Sequence, residues 1–265
     1  MTEKPVDERA WVVKHKRFLF SVVLVFLLSL FLSGCFLGHS AWWKEEVLLH
    51  DGQTIIVDRS QKLGGYPYVA STERTILEEK WQFVIPGTKE KVTWIKDGRF
   101  PPQGTMLTMI LLDILNGVPY IATVPSVCIS YNYWGRPNPP YVFFKYDGKT
   151  WQRIKLEEFP AELTESNVIV GRPDYQNRTG TIPIARIKQD NRYLEAHLKK
   201  IIRQPVKSMD CEEMVTNGKG TWLGIDWFSS EPSYEACVKV CSEQWFSKDY
   251  CPCDRLFNTK IQGGK

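Results

Sequence analysis

Between Glu45 and Phe159 short apolar runs are separated by turn residues. His50-Asp51-Gly52-Gln53 divides a VLL run from a TIIV run, and Asp97-Gly98 follows KVTWIK. Asn116-Gly117 separates Met106–Leu115 from Val118–Val124, and Asp147-Gly148 separates YVFFKY from KTWQRIKL. Asp-Gly and Asn-Gly supply the positive φ angles that two-residue hairpin turns require, and Val, Ile, Tyr, Phe and Trp suit pleated strands. Residues 45–159 therefore predict an antiparallel β domain, either a sandwich or a curled sheet. The run Met106–Leu115 also fits a short helix, since Asn-Gly can end a helix as well as a strand.

The pattern changes after residue 159. Residues 160–189 mix polar and apolar positions with Gly171, Pro173, Gly180 and Pro183, and predict an extended connection. Asp190–Arg203 predicts a helix, with Asp190 as cap, Leu194, Leu198, Ile201 and Ile202 on one face, and Pro205 beyond its end. A second helix is expected from Glu231-Pro232 to about Trp245, with Ser230 as cap and proline in its first turn. Residues 190–257 thus form a helical, cysteine-rich region, and 258–265 a disordered tail. The whole is α+β.

The N-terminus has a different pattern. Lys14, Lys16 and Arg17 precede an uncharged run, Phe18–Leu32, of about fifteen residues. That length suits the apolar core of a signal peptide, whereas a spanning helix needs roughly twenty residues. The run ends in Leu32-Ser33-Gly34-Cys35, which resembles the cleavage and lipidation motif of bacterial lipoproteins. The resemblance implies a signal peptide over 1–34, cleavage between Gly34 and Cys35, diacylglyceryl and further acyl chains on Cys35, and a tether over 35–44. The rival reading is an uncleaved anchor, because the uncharged stretch continues through Gly38. Either way the remaining chain lies outside the inner membrane. Phe36 stands where an Asp would signal inner-membrane retention, which favours the outer membrane. Trp42-Trp43 would rest either at the lipid headgroups or under the first sheet.

Residues 1–34 carry five basic and three acidic residues, so removing them lowers the net charge from +4 to about +2. This balance does not suggest a nucleic-acid surface. The expected partners are the membrane, through the Cys35 anchor, and an envelope protein or glycan. Setting Cys35 aside leaves six of the seven cysteines: Cys128, Cys211, Cys237, Cys241, Cys251 and Cys253. An even count in an oxidising compartment reads as disulfides. A zinc site and a redox-active Cys251-Pro252-Cys253 are the alternatives; the expected metal and cofactor content is none.

No catalytic signature is recognisable. The mature chain holds His39, His50 and His197, too dispersed for a histidine metal cluster. Adjacent acids, such as Glu45-Glu46 and Glu78-Glu79, would point to opposite faces of a strand, and their default is solvated surface. One binding surface stands out. Tyr131, Tyr133, Trp134, Arg136 and Tyr141 sit in a Pro-rich loop, where rigid aromatics and a bidentate donor could take up a partner. The segments 131–154, 222–237 and CPCDRLF at 251–257 also resemble a group of bacterial lipoproteins that brings no assigned activity. The expectation is a lipid-anchored accessory or binding protein, with an envelope hydrolase as the alternative.

Overall fold

A computed structural model describes residues 39–64, 74–99, 105–173, 180–207 and 210–257. The chain divides into two units, Met1–His39 and Ser40–Lys265; the second is treated below. The expected signal peptide, Gly34, Cys35 and the expected tail over 258–265 lie outside the described residues.

Two sheets form the β domain. The first has strands β1 (His39–Leu48), β2 (Thr54–Gly64), β3 (Thr75–Val84) and β4 (Lys91–Asp97), in the order β4-β3-β2-β1. The second is an antiparallel meander of β5 (Leu107–Leu115), β6 (Val118–Pro125), β7 (Val142–Tyr146) and β8 (Trp151–Ile154). One apolar cluster joins the two. Val47, Val57, Trp81, Phe83 and Trp94 of the first sheet pack against Met109, Leu112, Ile114 and Ile121 of the second. The domain is therefore a sandwich.

Met106–Leu115 resolves as strand rather than helix. Both faces of the second sheet are buried, the outer one by Phe159, Leu163 and Ile201. A strand covered on both sides loses its polar alternation, which is why periodicity alone left this run ambiguous. Asn116 and Gly117 both have positive φ, 53° and 76°, as the two-residue hairpin turn demands. Asp147 accepts N–H bonds from Thr150 and Lys149, which hold its carboxyl at about 2 and close the β7–β8 turn. Asp97-Gly98 differs from the other turn signals. It ends the edge strand β4, and Gly98 is needed because a Cβ there would collide with the Ile76 carbonyl.

β1 begins at His39, inside the expected tether. Ala41, Trp43, Glu45, Val47 and Leu49 alternate onto its buried face, so Trp43 is only 2% exposed while Trp42 is 41% exposed. Trp43 packs under the sheet, not at a headgroup layer.

Glu45 and Glu79 are also corrections. Each has an exposed or half-buried neighbour, as strand geometry requires, but neither is solvated: both are buried. They share the interior face with Arg59, Gln61 and Lys96. Arg59 Nη1 lies 3.2 Å from Glu45 Oε2, Arg59 Nη2 lies 2.6 Å from Glu79 Oε1, and Lys96 Nζ lies 3.0 Å from Glu79 Oε2. The Arg59 guanidinium sits between two indoles, 3.5 Å from the Trp81 ring centroid and 4.4 Å from that of Trp43. Burial pushes Glu45 above its usual range despite Arg59. Burial acts on Glu79 in the same direction, but two cations, Lys96 then Arg59, overcome it and bring the carboxyl to about 2.

The expected helix over 190–203 is broken. The chain forms a two-residue strand, β9 (Thr181–Ile182), parallel to β1, then α2 (Ile184–Asp190; α1 is given below), a 3₁₀ turn (Asn191–Tyr193) and α3 (Ala196–Lys199). Asp190 ends α2 instead of capping a helix, and Leu194 and Glu195 are extended. Tertiary bonds outcompete the helical ones. Asn191 Nδ2 donates to Val168 O, Ile201 N donates to Thr164 O, and Tyr141 Oη donates to His197 O. Within the expected extended connection, Leu163, Val168 and Ile169 are buried.

The C-terminal region has α1 (Cys128–Tyr133) under a ribbon of β10 (Met214–Thr216) and β11 (Trp222–Gly224). It continues through α4 (Asp226–Ser229), α5 (Tyr234–Glu243) and α6 (Cys253–Phe257). Ser233, rather than Ser230, caps α5, its side chain accepting from Ala236 N. Disulfides join Cys128–Cys211, Cys237–Cys253 and Cys241–Cys251. Cys237 and Cys241, one turn apart, face the interior together with Phe228 and Phe246.

Arg59→Ala should strand the buried Glu45 carboxylate, leave Glu79 with Lys96 alone and lower stability by about 3–5 kcal/mol, read from the urea midpoint with the disulfides intact. The Glu79 carboxyl falls from 4.5 to about 2 on folding. Its contribution is therefore complete above 4.5 and is lost as pH drops through about 2. Unfolding of the parent protein should show that slope over this window, and Glu79→Gln should lack it.

Candidate functional site

A cavity of about 590 Å³ opens where the first hairpin, the second sheet and the 160–200 segment meet. His50 enters it from the β1–β2 turn and Asp113 from β5. His50 Nδ1 and Asp113 Oδ1 are 2.7 Å apart, and the His50 backbone N–H donates to Asp113 Oδ2 at 3.0 Å. Ile114 N–H donates to Oδ1 at 2.7 Å. Three donors from two neighbouring segments thus fix a buried carboxylate, which in turn orients an imidazole. With Nδ1 committed to Asp113, Nε2 is the nitrogen left for other chemistry.

The orientation of Asp113 depends on a bulge. Register shifts between Met109 and Leu111, so Ile110 has no partner across on β6. Read with strict alternation from Met109, Asp113 would enter the space between the sheets. The extra residue reverses the phase: Leu112 and Ile114 face the inter-sheet cluster, and Asp113 shares the outer face with its cross-strand partner Tyr120.

Two asparagines build the cavity wall. Asn167 donates to Leu48 O and Leu112 O and accepts from Leu112 N, spanning the ends of β1 and β5. Asn191 donates to Val168 O and accepts from Val170 N. Their amides replace the strand pairing that this irregular segment lacks. Between them, Ser166 Oγ is buried and has no hydrogen-bond partner among the described residues. Leu49, Leu163 and Ile187 supply an apolar wall, while Lys188, Arg192 and Lys199 are exposed on the lining.

The expected aromatic platform lies elsewhere and is largely used internally. Tyr131 and Tyr141 are buried. Tyr141 Oη donates to His197 O and accepts from Ile202 N, and burial pushes its phenol upward. Trp134 Nε1 donates to Thr105 O. Arg136 donates to Cys211 O, Glu212 O and Asn132 Oδ1, which fastens the Cys128–Cys211 junction. Tyr133, stacked edge-on against Trp134, is the member that stays exposed. Through these bonds the loop welds the β domain to the cysteine-rich region.

The sulfur cluster is equally committed. The Sγ atoms of Cys241, Cys251 and Cys253 lie within 4.8 Å of one another, but each belongs to a disulfide. Zinc coordination needs thiolates, and none of these three sulfurs is one in this state.

Sequence reading missed the His50–Asp113 pair because its members are 63 residues apart. The available signal was Asp113 itself, a lone charge inside the apolar run Met109–Leu115. No protein family, curated protein or solved structure matches the chain.

Long-range proton–nitrogen spectra should place a proton on His50 Nδ1 in the parent protein. Asp113→Asn should lose that fixed preference and populate the Nε2–H tautomer. A tautomer indifferent to residue 113 would show that the pair does not set the imidazole.

Proposed function

We propose that the chain is a lipid-anchored protein of the bacterial cell envelope, facing the periplasm, whose folded part binds a ligand without transforming it. The observation that carries the anchoring is the disposition of the seven cysteines. Six are consumed in three disulfides, and the seventh, Cys35, closes Leu-Ser-Gly-Cys behind an uncharged run. Disulfides suit an oxidising compartment, which agrees with export. Two or three acyl chains hold a protein on a bilayer where one alone binds only marginally. Phe36 after the anchor favours the outer membrane. Among the described residues no helix is long and apolar enough to cross a membrane. The binding role rests on the cavity, whose volume falls within the roughly 300–1,000 Å³ of small-molecule sites.

The His50–Asp113 pair with Ser166 in the same cavity favours a second reading, an envelope hydrolase. Against it, Ser166 Oγ is buried and makes no hydrogen bond with His50.

Radiolabelled palmitate should enter the parent protein and not Cys35→Ser, which should also leave the membrane fraction or keep its uncleaved size. An unlabelled parent would end the anchoring proposal. A fluorophosphonate probe should leave Ser166 unmodified; stoichiometric labelling there would decide for the hydrolase.

A further inference from the structure

The cavity has two chemically different parts. Its inner wall is apolar, with Leu49, Leu163 and Ile187 buried. Its exposed lining is cationic, with Lys188, Arg192 and Lys199. The acids of the lining do not balance these charges. Three acids also line it: Glu165 pairs with Lys200 at 3.3 Å, and Asp113 is buried beside His50, so on the exposed part Lys188, Arg192 and Lys199 face Glu162. Two polar groups inside keep hydrogen-bonding capacity among the described residues. These are His50 Nε2, turned outward by the Nδ1 contact to Asp113, and the buried Ser166 Oγ. A buried hydroxyl on a cavity wall without a partner offers a hydrogen bond to a polar group arriving there.

We infer that this cavity takes a small soluble amphiphilic anion. The ligand is a carboxylate or phosphate monoester with a short apolar chain, the chain against Leu163 and Ile187 and the head among His50, Lys188 and Arg192. The inference rests on the binding reading above and names the ligand class for it. The exposed cations attract an anion through solvent, an attraction that salt screens. The apolar wall then rewards chain length, by up to about fourfold in affinity per methylene at ~0.8 kcal/mol each. Neutral or cationic amphiphiles gain the second term and not the first.

The test uses the full chain in phosphatidylcholine nanodiscs, with empty nanodiscs as reference and ligand-observed NMR titration. The probes are butanoate, hexanoate, hexyl phosphate and the neutral isostere hexanamide. Hexanoate and hexyl phosphate should bind at least tenfold tighter than hexanamide, and hexanoate tighter than butanoate. Lys188→Glu with Arg192→Glu, both exposed and outside the core, should abolish the preference for the anions while keeping the native circular dichroism. Ser166→Leu, which fills the inner wall, should weaken all four. If Ser166→Leu loses its native circular dichroism, the charge-reversal variant carries the test alone. Equal binding of hexanoate and hexanamide would overturn the anion inference and leave the binding reading standing. Failure of every probe to bind would overturn the binding reading itself. Displacement of hexanoate by phosphatidylglycerol placed in the nanodisc would overturn a soluble ligand.

Discussion

The Arg59 guanidinium is the point on which the β domain turns. It lies between Trp43 and Trp81 and reaches two carboxylates on two other strands. It also donates to Ile169 O and Gly171 O, which binds the irregular segment after the second sheet onto the first. Lys96 extends the same network by donating to Leu107 O, where β5 begins. A face that is apolar at one end and ionic at the other therefore receives both the second sheet and the segment that covers it. Buried ion pairs contribute little net stability compared with apolar packing of the same volume. Their contribution here is positional: a fixed fork of donors accepts one arrangement of strands and loop, where an oily surface would accept several.

Much of the β domain was legible because the chain writes its turns plainly. Asn116-Gly117 and Asp147-Gly148 each join strands that do pair, and Gly52 sits in the first turn with φ 86°. The misreadings have common physical causes. Local helical periodicity over 190–203 was real, but the covering segment needed its backbone groups for Thr164 and Tyr141 and the Asn191 amide for Val168. Glu45 lies in phase with Ala41, Trp43, Val47 and Leu49, so its burial was written in the alternation. What the alternation could not show was that Arg59, fourteen residues later, would satisfy it.

The aromatic loop and the disulfides show how similar compositions serve different ends. Tyr, Trp and Arg in a Pro-rich loop have the composition of a recognition surface. Here the same chemistry is turned inward, with Arg136 donating to three acceptors around Cys211. The Cys128–Cys211 bridge closes a separation of 83 residues, and Arg136 and Asn132 lie beside it with hydrogen bonds to the same strand of chain. The two short-range bridges instead reinforce the small core around Phe228 and Phe246.

The bulge at Ile110 does more than aim one carboxylate. If β5 were straightened by one residue against β6, Asp113 would be driven between the two sheets among Val57, Met109 and Ile121. Burying an unpartnered carboxylate there is prohibitive, so the slipped pairing is excluded by the charge itself. In an otherwise greasy strand, which has little else to distinguish one alignment from the next, the residue that orients His50 also acts as a ratchet against mispairing. Evolution could not neutralise Asp113 to suit a new ligand without also loosening the alignment of the strand that carries it.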